Sequence, residues 1–149
     1  MPTEAGSSSE SMPTVDANCW IVTFDPRDPF HAPSVAFFTH ISDRGLLIYG
    51  HEFVVLEVAS AVARRLQDPI RGRQAAEVLR THAGLRLYPH DEHLMREALR
   101  LGTRQLLRGA DALYAATAHL TSAQLISWDN ELVRRAGALT PTAWLDTNP

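Results

Sequence analysis

Short apolar runs alternate with longer helix-period stretches along most of the chain. Residues 13–16 read as extended and lead into the apolar stretch 19–24; the DPRDP segment at 25–29 is a turn. Val35, Phe37, Phe38 and Ile41 suit a helix over 31–40 that begins near Pro33 and is ended by Asp43-Arg44-Gly45. Residues 46–49 form a short run typical of a buried strand. The segment FVVLEVASAVARRL, 53–66, predicts a helix apolar on most sides and therefore buried. Residues 70–82 are amphipathic through Ala75, Ala76, Val78 and Leu79, with Gly84 as the expected C-cap. A strand is predicted over 85–88, ended by Pro89. Asp91 opens a helix whose apolar face is Leu94, Met95, Ala98, Leu99 and Leu101. Arg108-Gly109 breaks it, and 110–121 is a second buried helix. A strand over 124–128, a helix over 130–136 and a closing strand over 140–145 complete the pattern. Strands alternating with helices predict an α/β architecture with a small, mostly parallel sheet. Sites in such sheets form at the carboxyl ends of the strands, and Asp16 and Asp129 each follow a predicted strand.

Composition narrows the picture. The chain has 149 residues, enough for one domain with a real core. Residues 1–12 are Ser-rich and aperiodic and are expected to be a disordered tail, leaving 13–149 as a single domain. With 45% hydrophobic and 21% charged residues the chain reads as an ordinary soluble protein. One cysteine, Cys19, excludes an internal disulfide framework and a multi-Cys zinc site. No run approaches the roughly 18 apolar residues of a membrane span. The polar start lacks a basic stretch followed by an apolar one, so no secretory signal is expected and a cytoplasmic location is the default.

The net charge of −3 argues against a simple basic nucleic-acid binder, but it is unevenly spread. Between Arg64 and Arg108 there are ten Arg and five acids; the remainder holds four Arg and twelve acids. There is no Lys, a bias that the codon usage of a GC-rich genome would explain. A surplus of carboxylates is costly unless a cation sits among them.

Four acids stand out. Glu57 lies among Val54, Val55, Leu56 and Val58, where an ionised carboxylate needs a partner or a metal. A salt bridge to Arg64 or Arg65, or a narrow solvent-facing stripe, would serve equally well. Asp111 opens a buried helix and Asp129 precedes Asn130-Glu131-Leu132; each alone reads as an N-cap. Asp16, before Ala17-Asn18, reads alone as an Asx turn. Together the four would form a cage of hard oxygen ligands suited to Mg²⁺ or Mn²⁺. Two such ions about 4 Å apart would clamp a phosphate and activate water.

The pieces VDANCW with Asp16, FVVLEVASAVARR with Glu57, LRGADALYAATA with Asp111 and LISWDNELVRRAG with Asp129 occur in this order over about 14–145. In motif, order and spacing the chain resembles the PIN-domain ribonucleases, and within them the VapC-like toxins of toxin–antitoxin pairs. The resemblance implies a three-layer α/β/α fold with Asp16, Glu57, Asp111 and Asp129 as the metal-binding acidic centre. It implies metal-dependent hydrolysis of RNA phosphodiester bonds to a 3′-hydroxyl and a 5′-phosphate, dimerisation, and a cognate antitoxin partner. Ser127 stands where the family often has Thr or Ser before the last Asp, and Asn18 matches a polar position near the first; both would support the acids. Some relatives carry a further acid after the last Asp, a place held here by Asn130 and Glu131.

On this reading Asp16, Asp111 and Asp129 would hold the main Mg²⁺ or Mn²⁺, and Glu57 that ion, a second one or the attacking water. Arg96, Arg100, Arg104 and Arg108 recur every four residues and would share one helix face. That face would either grip RNA phosphates or be a solvated face paired with Asp91, Glu92 and Glu97. The seven His residues lack zinc-site spacing, and Trp20, Trp128 and Trp144 are expected in the core or at an interface. Alternatives are a PIN-fold nuclease of RNA processing outside a toxin pair, and a non-catalytic RNA- or protein-binding module.

Overall fold

The computed structural model describes residues 12–149. The expected disordered tail lies outside the described residues except for Met12, which packs against the core and whose carbonyl accepts from Gln124 N–H at 2.9 Å. The chain runs β1 (Pro13–Val15), α1 (Ala17–Ile21), a 3-10 turn (Val22–Phe24), α2 (His31–Asp43), β2 (Ile48–His51), α3 (Val54–Leu66) and α4 (Pro69–Arg80). It continues with β3 (Leu85–Tyr88), α5 (Glu92–Arg104), α6 (Gly109–Leu120), β4 (Gln124–Ile126), α7 (Asn130–Ala136) and α8 (Pro141–Thr147).

The four strands pair in parallel in the order β3-β2-β1-β4. Helices cover both faces, giving the three-layer α/β/α arrangement implied by the resemblance. β1 is the hinge of the topology. The chain winds from β1 to β2 to β3 on one side and returns to place β4 on the other. The crevice beyond the carboxyl ends of β1 and β4 is therefore a switch point, where a parallel sheet opens to hold a ligand. Register fixes it: Thr14 lies opposite Leu125 and Val15 opposite Ile126. Asp16 and Ser127 thus leave neighbouring strands side by side, tied by a 2.9 Å bond from Asp16 N–H to the Ile126 carbonyl.

The core behind this crevice is built by Val15, Ile48, Val54, Val58, Tyr114 and Ile126, all essentially inaccessible to solvent. α3 and α4 pack at unusually short range. A Cβ on Gly72 would lie 2.6 Å from Ala63 Cβ and 2.7 Å from the Ala59 carbonyl oxygen. Only the missing side chain allows that approach.

Three expectations are corrected. Segment 140–145 is not a strand. Leu139 alone bridges to Ile126, and α8 follows. Thr140 caps α8 through a bond from Ala143 N–H at 3.1 Å, and Pro141 sits at its first position, where a missing N–H costs nothing. Trp144 then packs edge-on against Phe37 at 5.3 Å, pinning α8 to α2. α3 is not buried all round: Val54, Val55, Val58 and Val62 face the core, while Leu56 is 62% exposed. Gly84 does not cap α4, which ends at Thr81; its carbonyl instead accepts from Ile48 N–H at 2.8 Å.

Candidate active site

Asp16 follows β1 and is buried. Its Oδ2 accepts from the Ser127 hydroxyl at 2.7 Å. Ser127 Oγ in turn accepts from Asn18 Nδ2 at 3.1 Å and from Asp129 N–H at 2.9 Å. Asn18 Oδ1 accepts from Trp128 N–H at 3.3 Å. The two strand ends are therefore laced by a small polar network whose centre is one hydroxyl.

Asp129 does cap α7: its Oδ1 accepts from Glu131 N–H at 2.8 Å. The other oxygen stays available for a second task. Asp111 is not a cap. The N-cap of α6 is Arg108, so Asp111 sits in the first helical turn with its carboxylate buried and directed into the crevice side. An acid there gains from the helix dipole.

Glu57 does not pair with Arg64 or Arg65. Arg65 reaches instead to Asp28 at 2.8 Å and Asp25 at 3.7 Å. Glu57 Oε1 accepts from the Tyr114 hydroxyl at 3.1 Å and lies 3.4 Å from Nε2 of the fully buried His51. Burial lowers the His51 pKa to about 4, so its ring is neutral at pH 7 and gives Glu57 no counter-charge. His51 and Tyr114 are site residues that the sequence pattern did not flag. Their only trace was a polar residue at the end of a buried strand and a hydroxyl on an otherwise apolar helix.

The acids feel one another. Burial is the main reason that Asp16 titrates near 6 rather than 3.8; the Ser127 hydrogen bond opposes the rise and the Asp111 charge adds to it. Burial likewise takes Glu57 to about 7, against the Tyr114 hydrogen bond and with help from the charges of Asp16 and Asp111. Burial dominates both shifts, and neighbouring carboxylates add to each: Asp111 for Asp16, and Asp16 and Asp111 for Glu57. Tyr114, buried beside Glu57 and Asp16, is pushed well above its ordinary range and stays a neutral donor.

Arg108 supplies the one guanidinium that bonds to any of these four carboxylates among the described residues. Its Nε donates to Asp111 Oδ2 at 3.1 Å and its Nη2 to Asp129 Oδ2 at 2.9 Å. The expected four-Arg ridge is therefore broken. α5 ends at Arg104, and Arg108 lies beyond it, turned onto the acids. Arg96 pairs with Glu92 at 3.0 Å, and Arg100 pairs with Glu97. Glu131 turns along its own helix, with a carboxylate oxygen 3.6 Å from Arg135.

The sequence pattern of the PIN domain family matches residues 14–138. The chain belongs to the PIN domain family. Solved structures of the same fold include a toxin and a toxin–antitoxin complex by their descriptions. VapC20 of Mycobacterium tuberculosis, described as a sarcin-ricin loop cleaving toxin, is 18% identical with a TM-score of 0.71 over 85% of this chain and 96% of that one. A toxin–antitoxin complex from Klebsiella pneumoniae contains a chain 19% identical, TM-score 0.63, over 88% and 98%. FitAcB from Neisseria gonorrhoeae is 21% identical, TM-score 0.64, over 88% and 99%. No curated protein sequence matches the chain. Among the described residues of this PIN domain, no helix is long and apolar enough to cross a membrane.

The residues fit a hard divalent cation by donor chemistry. They offer four carboxylates, two of them raised in pKa chiefly by burial, and a hydroxyl that orients one acid. In the arrangement described, no three His, Cys, Asp or Glu side chains among the described residues are gathered tightly enough to hold an ion. The bridge from Arg108 to Asp111 and Asp129 accounts for two of the four acids being engaged elsewhere.

Proposed function

We propose that this chain is a metal-dependent endoribonuclease and the toxin of a toxin–antitoxin pair. The observation that carries the reading is the pair Asp16 and Glu57, held beside Asp111 at the sheet's switch point with pKa values raised chiefly by burial, in a PIN-family chain. Carboxylates perturbed by desolvation and by neighbouring charge at a strand-end crevice are the groups a functional site collects.

Asp16, Asp111 and Asp129 would hold Mg²⁺ or Mn²⁺, with Glu57 on the same or a second ion. The bound ion supplies charge neutralisation at the scissile phosphate and lowers the pKa of a coordinated water. The chain's own residues do the rest. Ser127 fixes the Asp16 carboxylate and holds Asn18 and Asp129 to it. Tyr114 holds Glu57 in place, and Glu57, titrating near neutrality, can accept a proton from the attacking water. Arg108 and the Arg of α5 would meet RNA phosphates at the mouth. An antitoxin protein would be the regulator, and a homodimer the working form; the toxin–antitoxin complex of the same fold supports the first of these.

The test is cleavage of a broad panel of structured RNAs by purified, antitoxin-free protein, with Mg²⁺ or Mn²⁺ against chelator, beside Asp16→Ala. Cation-dependent cutting lost in the variant supports the reading. Intact RNA across the panel with folded wild type overturns it.

A further inference from the structure

Arg108 is the least expected member of the site. It is the N-cap residue of α6, and its side chain is 69% exposed. It nevertheless spans two elements, taking Asp111 on α6 and Asp129 at the start of α7 with two different nitrogens. The bond to Asp111 is a local i,i+3 pair, but the bond to Asp129 reaches 21 positions along the chain, so the clasp as a whole is tertiary. A guanidinium is planar and always charged, and it presents donors in a fork that suits two carboxylate oxygens. A divalent ion would draw on the same two carboxylates, and its charge and that of a guanidinium held against them repel each other.

We propose that Arg108 is an internal counter-ion that competes with the divalent cation for Asp111 and Asp129 and must swing out for the acid centre to load. The inference rests on the metal-site reading above and extends it to a residue outside the acid set. Three features favour it. The two bonds, at 3.1 and 2.9 Å, are of ordinary length, and the guanidinium end of each lies in water although the acids are largely covered. The side chain is largely in solvent, so no buried contact opposes the swing. Asp129 keeps its capping bond through the other oxygen, so α7 does not depend on Arg108. The clasp would set the cation concentration at which the nuclease turns on, and would place a freed guanidinium at the mouth of the site where a phosphate arrives.

The experiment is Mn²⁺ binding by calorimetry to wild type, Arg108→Gln, Arg108→Lys and Asp16→Asn, all checked for folding by circular dichroism. Removing the competing guanidinium from both acids predicts that Arg108→Gln binds Mn²⁺ about three- to tenfold more tightly than wild type, with Arg108→Lys in between. A second readout is the Arg108 Nε–H resonance, which should shift on adding MgCl₂ as its bond to Asp111 breaks. Equal or weaker Mn²⁺ binding by folded Arg108→Gln, or an Nε–H signal unmoved by saturating MgCl₂, overturns the proposal while leaving the metal site standing. No Mn²⁺ binding by wild type overturns the metal reading and the proposal together. Loss of binding in Asp16→Asn alone confirms that the measured ion is at this site.

Discussion

The Ser127 hydroxyl donates to Asp16 at 2.7 Å and accepts from Asp129 N–H at 2.9 Å, so one oxygen ties the acid after β1 to the acid after β4. Ser127→Ala removes the only side-chain donor to Asp16 and the acceptor for Asn18 Nδ2. The Asp16 pKa, which this bond lowers, should rise further. Loss of such a supporting bond typically costs about 10- to 100-fold in metal affinity or activity. Ser127→Thr, which keeps the hydroxyl, should retain most of it. Mn²⁺ calorimetry on both variants checks this, and equal affinity of Ser127→Ala and wild type would contradict it.

Asp16 makes the protein less stable at high pH when no cation is present. Its pKa is about 6 folded against an ordinary 3.8, so the folded state holds the proton more tightly. The favourable contribution is fully present below about 3.8 and is lost as the pH rises through about 6. Asp16→Asn should therefore stabilise the protein in chelator at pH 8, by up to about 3 kcal/mol, and have little effect near pH 4. His51, with its pKa lowered to about 4, contributes the opposite slope, but it is common to both proteins and cancels in the difference. Urea unfolding of both proteins at the two pH values is the measurement. A variant less stable than wild type at pH 8 would sink the argument.

Tyr114 and Glu57 make a separable prediction. The Tyr114 hydroxyl donates to Glu57 and holds its pKa down against burial. Tyr114→Phe keeps the ring packed against His51 at a centroid distance of 4.3 Å but removes the donor. The acidic limb of the pH–activity profile should move to higher pH, while stability falls by only about 1 kcal/mol. An unmoved limb would remove Glu57 from the proton chemistry.

Much of this was legible in the sequence. Period and turn residues put a strand at or beside each of the four observed ones, with a false fifth over 140–145, and the four acid-bearing pieces pointed to the family. What stayed hidden was tertiary. Glu57 could have paired with Arg64 or Arg65 by spacing, but Arg65 turns to Asp25 and Asp28, and Glu57 meets His51 and Tyr114 from two other elements. The four-residue Arg spacing suggested one helix face, yet the helix stops at Arg104 and Arg108 folds back onto the acids. Thr140-Pro141 carries the cap and first-turn signal of a helix, which the expected strand over 140–145 left out of account.

Gly72 tests the packing that carries Glu57. α3 lies so close to α4 that a Cβ would meet Ala63 Cβ and the Ala59 carbonyl at less than 3 Å. Gly72→Ala should gain helix propensity and still destabilise the protein, by about 1–3 kcal/mol, because backbone must move. Thermal unfolding that shows a stabilised Gly72→Ala would contradict the close approach.

The most direct test of the central claim is the chemistry of the cut ends. Wild type, incubated with RNA and Mg²⁺, should yield products with a 5′-phosphate and a 3′-hydroxyl, and Asp16→Asn, Glu57→Gln and Asp111→Asn should each yield none above background. Cleavage that persists in chelator, that leaves a 2′,3′-cyclic phosphate, or that survives in the folded acid variants would contradict the account.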